Sequence, residues 1–417
     1  MKKETKKAPT IRFRGFTNDW EQRKLSEYLV TSTDKNHVGR FSRADVLSVS
    51  GELGIINQIE FQGRSFAGAS VLNYGIVKTN DIVYTKSPLK VNPYGIIKAN
   101  AGKSGIVSTL YAIYHPKKNT DSKFIECYFD SNDRLNHYLR PLVNKGAKND
   151  MKVMNKDVLK GKVDFPPTMK EQRIIASFIT EIEMTTALYQ RKLDQLKKLK
   201  KYFLQNMFPA KGEKVPRIRF KGFTGDWEQR KLGELGTLKN GMNFSKEAMG
   251  KGYPFVNLQN IFGNNVIDIS KLGLAMASST QLKEYSLQKG DVLFVRSSVK
   301  LEGVGEAALV SENLENTTYS GFIIRFHDQA GMDDNFKRFI FRTSSVRQQI
   351  MSQATDSANK NISQQVLSNI KIMIPEKAEQ EIVGQYFSNL FTLITLHQRK
   401  LDQLQTMKKF MLQNLFI

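Results

Sequence analysis

The sequence predicts an α/β (α+β) protein in which two globular segments alternate with two long helices, arranged as an internal pseudo-twofold repeat. Three observations lead to this prediction. The same opening stretch occurs twice, two long segments carry a seven-residue apolar period, and short strand-like runs lie between them. A chain of 417 residues is also long enough for two or three domains of about 150 residues, each with its own core.

The repeat is clearest where each half begins and ends. Residues 9–25 (PTIRFRGFTNDWEQRKL) recur as residues 216–232 (PRIRFKGFTGDWEQRKL), with 14 of 17 positions identical. The heptapeptide QRKLDQL at 190–196 recurs at 398–404. The first match is offset by 207 residues and the second by 208, so two halves of nearly equal length begin and end alike. This pattern indicates a duplication, because a solenoid would show many short repeats.

The repeat divides the chain into six expected segments. They are a basic tail at 1–8, a globular segment at 9–166, a helix at 167–208, a charged linker at 209–215, a second globular segment at 216–374 and a second helix at 375–417. Beyond Pro167 and Pro375 the two helical segments contain no proline, and Gly384 is their only glycine. Their long, uninterrupted patterns therefore predict continuous helices.

The globular segments read as mixed helix and strand. Strand-like runs at 81–84, 106–114, 291–295 and 321–326 are bounded by Gly, Asn, Asp or Pro, and a helical stretch covers 334–351. Between the repeated ends, the two halves resemble each other only in short stretches, such as NDIVYTKS at 80–87 and GDVLFVRS at 290–297. The single cysteine, Cys127, has apolar neighbours and is predicted to be a buried strand thiol.

Apolar residues recur every seven positions along both long segments, which is typical of helices that pack along their length as coiled coils. The expected helix-packing residues are Ile175, Ile182, Tyr189, Leu196, Phe203, Val383, Leu390, His397, Leu404 and Met411. Some forty residues at about 1.5 Å each make a rod of about 60 Å, which suits a spacer. The alternative is a single amphipathic helix lying on a globular core.

No catalytic or cofactor-binding motif is complete. The five histidines are scattered and form no HExxH or similar metal-ligand pattern. The sequence AGKS at 101–104 lacks the upstream glycine of a phosphate loop, since position 97 is Ile97. NPYG at 92–95 only half resembles the Asn-Pro-Pro-aromatic motif of amino methyltransferases, and GVG at 303–305 lacks the third glycine of a dinucleotide site. We therefore expect no catalytic residue, metal or cofactor in this chain.

The charge points to a polyanionic partner. Lys and Arg number 63 against 40 Asp and Glu, a formal net charge of +23 at pH 7, which usually indicates nucleic acid or an acidic membrane face as the partner. The excess is uneven, because residues 15–167 hold 22 basic against 15 acidic residues and residues 222–375 hold 17 against 15. If the partner is a nucleic acid, contacts to base edges and contacts through water would therefore have to contribute more to binding by the second globular segment.

Polar loops follow the two similar strand-like stretches and also lie just before each long helix. They carry side chains that suit DNA. Arg and Lys can pair with guanine, Asn with adenine, and Ser with phosphate or base. The candidate DNA-binding residues are Lys86, Ser87, Lys90, Asn92, Tyr94, Lys148, Asn149, Arg296, Ser297, Ser298, Lys300, Lys360 and Asn361. The alternative is that these loops are merely solvated.

The layout resembles the specificity (S) subunit of type I restriction-modification systems. The resemblance rests on the openings that contain Trp20 and Trp227, on EQRI at 171–174 and EQEI at 379–382 where the helices start, and on the LQN sequences at 204–206 and 412–414 where they end. It covers essentially the whole chain.

This resemblance implies a non-catalytic subunit of a bacterial defence system in the cytoplasm. Two target-recognition domains would each read one half of a split DNA site, and the helices would pair antiparallel as a spacer. Two methyltransferase subunits would dock on the helices and bring S-adenosylmethionine. Restriction subunits would bring ATP hydrolysis, with Mg, and DNA cleavage. Because residues 40–150 and 245–360 share little sequence, we expect the two half-sites to differ.

Two other classes of protein stay open. A structural adaptor, whose helices and globular segments bind proteins, would show the same heptads. A self-contained enzyme would need an active site that the sequence does not show. A membrane protein is not expected, because no apolar run approaches the roughly 18 residues of a membrane span.

Overall fold

The computed structural model describes residues 8–145, 151–355 and 357–417. The predicted basic tail at 1–8 lies outside these residues except for Ala8. The chain forms two compact units, one that extends to Tyr189 and includes residues 400–417, and one that comprises residues 190–399. The division falls within both long helices, so each unit contains part of each helix.

The first unit is a mixture of short strands and helices. Its strands are β1 Glu21–Lys24, β2 Leu29–Thr31, β3 Leu47–Ser50, β4 Gly54–Asn57, β5 Gly75–Val77, β6 Ile82–Thr85, β7 Ile97–Ala99, β8 Gly105–Val107, β9 Tyr111–Pro116, β10 Asn144–Lys145, β11 Met151–Lys152 and β12 Lys162–Phe165. Its helices are α1 Gln58–Gln62, α2 Ser122–Phe129, α3 Asn132–Leu139 and the first part of α4 Met169–Asn206.

The second unit is also a mixture of short strands and helices. Its strands are β13 Glu228–Lys231, β14 Gly236–Asn240, β15 Met249–Val256, β16 Gly273–Ala275, β17 Val292–Val295, β18 Ser297–Ser298, β19 Ala307–Leu309, β20 Thr318–Tyr319, β21 Ile323–Asp328, β22 Lys360–Asn361 and β23 Lys371–Ile374. Its helices are the last part of α4, α5 Leu232–Leu235, α6 Ser279–Glu284, α7 Asp334–Ile340, α8 Ser344–Ser352, α9 Gln364–Asn369 and the first part of α10 Lys377–Asn414, whose last part belongs to the first unit.

Both units are built on a four-stranded antiparallel sheet with the same strand order. The order is β2-β9-β6-β7 in the first unit and β14-β21-β17-β19 in the second. A separate two-stranded ladder then joins the repeated opening of each half to the strand before its long helix, β1 with β12 and β13 with β23. The duplication therefore extends to the sheets, although the sequences between the repeated ends have diverged.

Each unit has an aromatic core at equivalent places in the repeat. In the first, Trp20 packs against Phe124 and Phe416, with ring centroids 6.1 and 6.3 Å away. In the second, Trp227 packs against Phe336 and Phe208, both with centroids 5.9 Å away. Phe416 and Phe208 follow the ends of α10 and α4, so the residues just beyond each long helix are buried in a globular core. Burial of such large rings is a main source of stability in these cores.

Three local predictions from sequence are corrected by the structure. Cys127 is buried as predicted but lies in α2, not in a strand, because the Asp121 carboxylate caps a helix by accepting from the Phe124 N–H. The run at 106–114 is two strands, since the Tyr111 N–H closes a turn on the Ser108 carbonyl. The stretch at 334–351 is two helices, α7 and α8, with a break in which the Thr343 hydroxyl bonds the Ile340 carbonyl.

Helices α4 and α10 have 38 residues each, which corresponds to about 57 Å. They begin at Met169 and Lys377, two residues beyond the prolines that were predicted to open them, and end at Asn206 and Asn414. A proline disfavours helical backbone in the residue before it, so Pro167 and Pro375 mark where the helical segments become possible.

Candidate nucleic-acid interface

The predicted residues of the first half follow β6 and form a loop that packs against two other segments. The Lys86 ammonium donates to the Asn155 amide oxygen at 3.2 Å. Burial, together with the positive charge of nearby Lys35, lowers the pKa of Lys86. The Asn92 amide donates to the Asn132 amide oxygen at 2.8 Å, which ties the loop to α3.

The rest of this loop divides into anchored and open positions. The Tyr94 carbonyl accepts from the Tyr84 hydroxyl at 2.7 Å, and Tyr94 itself is half-buried. Ser87 and Lys90 are exposed, so their side chains can reach an external partner. Lys148 and Asn149 lie outside the described residues, in the segment between β10 and β11.

The structure brings together the two groups of predicted residues in the second half, which are some 60 positions apart in the sequence. Strand β18 pairs antiparallel with β22, so that Ser297 faces Asn361 and Ser298 faces Lys360. The Arg296 guanidinium donates to the Gly321 carbonyl at 3.3 Å, beside this ladder. Lys300 follows it and is exposed. A short ladder of polar and basic side chains is therefore presented at the end of β17.

Sequence reasoning missed several exposed aromatic side chains of the two units. Phe61 and Phe66 are exposed in the first unit, where the Arg64 guanidinium lies 4.7 Å from the Phe66 ring centroid. In the second unit Phe262 and Phe322 line a cleft beside β18. The signal was weak because single aromatic residues in a sequence more often indicate core than surface.

The ten predicted helix-packing residues are all shielded from solvent to some degree. Six are buried and four are half-buried; the buried ones are Ile175, Ile182, Leu196, Val383, Leu390 and Leu404, and the half-buried ones are Tyr189, Phe203, His397 and Met411. Within the first unit Ile175 and Met411 contact the core around Trp20. Within the second unit Phe203 and Val383 contact the core around Trp227.

The residues that the two halves share form the same buried ion pair in each unit. The Arg12 guanidinium donates to both Glu171 carboxylate oxygens, at 2.7 and 2.9 Å. The Arg219 guanidinium does the same to Glu379, with both distances 2.7 Å. Bidentate pairs of this kind fix geometry as well as charge. The repeated IRF and EQ sequences therefore attach the opening of each half to the start of its long helix.

Two histidine–aspartate contacts also repeat. His115 Nδ1 lies 2.7 Å from Asp81 Oδ1, and His327 Nδ1 lies 2.7 Å from Asp291 Oδ1. Each aspartate directly precedes the central strand β6 or β17, and each histidine is on the neighbouring strand β9 or β21. Within the ranges that the structure describes, no three His, Cys, Asp or Glu side chains come close enough to hold a metal ion. These contacts brace the sheets.

Neither long helix is apolar enough to cross a membrane, and the same holds for every other helix among the described residues.

The chain is similar to specificity subunits of type I restriction-modification systems. Residues 224–406 match the family described as "Type I restriction modification DNA specificity domain". The type I restriction enzyme EcoKI specificity subunit of Escherichia coli K12 is 23% identical over 356 residues, which are 79% of this chain and 75% of that protein.

Two solved structures share the fold. The S subunit of a type I restriction-modification system from M. genitalium superimposes with a TM-score of 0.59 at 12% identity, over 98% of this chain and 99% of that chain. A second chain, from a type I system described for its complex assembly and conformational transition, gives a TM-score of 0.50 at 14% identity over 94% and 96% of the two chains.

Proposed function

Because residues 224–406 match the type I restriction-modification DNA specificity domain, we propose that this chain is the subunit that selects the DNA sequence in such a system. One observation carries the proposal. Two units with the same strand order present different polar loops after the equivalent strands β6 and β17. A frame that the two units share, with loops that differ between them, suits a protein that reads two different sequences on one duplex.

The site would be bipartite and asymmetric, with one half read by each unit. Residues 86–94 would contact the first half-site, with Lys148 and Asn149. The ladder of β18 and β22 would contact the second, through Arg296, Ser297, Ser298, Lys300, Lys360 and Asn361. Two readers on one face of DNA are separated by about one helical turn, roughly 34 Å, and α4 and α10 would provide that spacing.

The helices would pair antiparallel and would dock two methyltransferase subunits. Contacts within each unit support the pairing, since Lys408 of α10 binds Glu183 of α4 at 3.0 Å, and Phe203 of α4 packs on Tyr386 of α10 with centroids 5.3 Å apart. Large apolar residues are also exposed at positions that match at an offset of 208. They are Leu188 with Leu396, and Tyr202 with Phe410. Matched exposed patches favour two copies of one partner.

In this proposal the chain has no catalytic residue and holds no cofactor. The methyltransferase subunits would bring S-adenosylmethionine, and restriction subunits would bring ATP and Mg. The complex would act in the cytoplasm on double-stranded DNA.

Methylome sequencing tests the proposal. A host that carries this chain with its methyltransferase should acquire methylation at one split, asymmetric motif that disappears when the chain is deleted. A palindromic motif would contradict two different half-sites, and no chain-dependent motif would contradict DNA specificity. If the chain were instead a protein adaptor, its complex would bind DNA without sequence preference, which a mobility-shift assay at several salt concentrations would reveal.

A further inference from the structure

An open cleft with apolar walls lies beside the ladder of β18 and β22. Its volume is about 530 Å³. Phe262, Val299 and Phe322 are among its apolar side chains, and Ser297 and Ser298 are among its polar ones. Val299 is 78% exposed and Phe322 is 58% exposed. These two side chains therefore add little to the core of the unit and remain available for an external contact.

The surroundings of the cleft favour a nucleic acid as the occupant. Arg296, Lys300 and Lys360 lie on β18, on β22 or directly beside them. Of the two acidic residues in the lining, Glu306 already accepts a hydrogen bond from the Gly263 N–H at 3.0 Å. Glu302 is exposed, and a glutamate near a base edge can accept from the cytosine amino group. Basic and polar groups around an apolar centre suit a DNA surface, on which phosphates flank the base edges.

The chemistry of the major groove indicates which chemical group of the DNA the apolar side chains of the cleft would contact. The base edges there present hydrogen-bond donors and acceptors, and the apolar group among them is the C5 methyl of thymine. Residues 222–375, which contain the cleft, hold 17 basic against 15 acidic residues, so attraction to phosphates is weak in this part of the unit and contacts to bases must contribute more there. An exposed valine beside an exposed phenylalanine fits a methyl group and cannot hydrogen-bond to a base.

We propose that Val299 and Phe322 contact the C5 methyl group of a thymine in the half-site that the second unit reads. The inference rests on the proposed function and goes beyond it, because it assigns the base and the chemical group that these two residues select.

Deoxyuridine, which lacks this methyl group, provides the test. The full chain in complex with its methyltransferase would be titrated with duplexes that carry its motif, with each thymine of the second half-site replaced singly by deoxyuridine. Burial of one methyl group accounts for a difference in affinity of about fourfold. For the unaltered chain, we expect this loss of affinity at one or more thymine positions. For a chain that carries Val299→Ser or Phe322→Ser, replacing the same thymine by deoxyuridine should cause no further loss of affinity.

Val38→Ser is the matched control, because Val38 is an exposed valine of the first unit. It should leave the response to deoxyuridine in the second half-site unchanged. The inference is overturned if no position responds, if the response persists in both variants, or if the second half-site contains no thymine on either strand. It is also overturned if Val299→Ser weakens assembly with the methyltransferase instead. Failure of the complex to prefer its motif over random duplex would be a failure of the proposed function itself.

Discussion

Arg12 and Glu171 form a nearly solvent-free ion pair whose loss should be costly. The Glu171 side chain is 1% exposed and also accepts from the Trp20 indole N–H at 3.2 Å. Removing one partner of a buried pair leaves the other charge without compensation, which costs about 3 kcal/mol. We expect Glu171→Ala to lower the free energy of unfolding by about this amount, measured by urea denaturation.

Glu21→Ala is the control for this prediction. Glu21 pairs with Arg23 at 2.7 Å on the surface, and such exposed pairs contribute about 1 kcal/mol or less. Equal losses of unfolding free energy in the two variants would show that the buried ion pair stabilises the protein no more than the exposed pair does. Arg219 and Glu379 repeat the bidentate pair but Trp227 donates no hydrogen bond to it, so Glu379→Ala should lower the free energy of unfolding by a similar or somewhat smaller amount.

Single residues also show where sequence reasoning is limited at the candidate site. Asn92 has the right chemistry for adenine, yet its amide is engaged with Asn132. Ser298 and Lys360 both suited DNA, but only the structure shows that they face each other. Residue type predicts which atoms can donate or accept, whereas their direction depends on contacts from distant parts of the chain.

Gly384 shows how packing sets one position of a long helix. A Cβ there would lie 2.6 Å from the Asp333 carboxylate and 2.6 Å from the Phe336 amide nitrogen, which together form the cap of α7. The matching position of α4, at an offset of 208, is the buried Ala176. The two helices thus differ where a neighbouring helix start approaches more closely.

Gly384→Ala should therefore destabilise the protein, although alanine favours a helix by about 1 kcal/mol over glycine. The added methyl group would push α7 away from α10, and such overpacking costs about 1 to 3 kcal/mol. The reciprocal change Ala176→Gly should also destabilise, by about 1 kcal/mol, through helix propensity. Thermal unfolding measures both. A more stable Gly384→Ala variant would show that α7 can move away without loss.

Asp130 connects the end of α2 to α10 and should make stability depend on pH. Burial alone would raise its pKa, but Lys98 at 2.9 Å and Lys408 at 2.7 Å offset this, and the pKa of Asp130 lies below its ordinary value. A carboxyl whose pKa is lowered by folding stabilises the protein above its unfolded pKa of about 3.9. That stabilisation is lost as the pH falls through the folded pKa.

We expect Asp130→Asn to be less stable than the unaltered chain at pH 7 and to lose less stability between pH 5 and the acid limit of about pH 2. Urea denaturation across this range measures both curves. The control is Asp34→Asn: the hydrogen bond from Lys78 at 2.7 Å also lowers the pKa of Asp34, but this pair is exposed to solvent, so the Asp34→Asn curve should differ from that of the unaltered chain by less than the Asp130→Asn curve does. Parallel curves for Asp130→Asn would contradict the assigned role of the ion pairs.

Elements differ in how well the sequence predicts them, and length is the reason. The long helices were predicted to within two or three residues at each end, because a seven-residue period sustained over 38 residues is a strong signal. The short strands were harder. β18 and β22 have two residues each and owe their existence to pairing across the chain, which no local pattern specifies.

At the scale of the whole molecule, the repeated ends predicted the duplication, and the sheets extend it. The orders β2-β9-β6-β7 and β14-β21-β17-β19 agree although the intervening sequences do not. A sheet requires apolar residues facing a core, which many sequences satisfy, whereas the ion pairs that attach each opening to its helix require particular residues. Loops outside these constraints are free to vary, which is what a change of DNA specificity needs.

This separation of frame and loops leads to a prediction for the whole molecule. The core around Trp20 and the core around Trp227 each consist of residues from one unit, so altering loops in one should leave the other folded. Replacing residues 40–150 by the corresponding segment of a relative with another motif should change one half-site only. Methylome sequencing would show the other half-site and the gap unchanged.

The reciprocal replacement of residues 245–360 is the matched control, and it should change the other half-site alone. Inserting seven residues into both α4 and α10 should instead preserve both half-sites and alter the gap, because two helical turns add about 10 Å. If either loop replacement changed both half-sites, the two units would not read DNA independently. If it changed the gap, the spacing would depend on the loops and not on the helices.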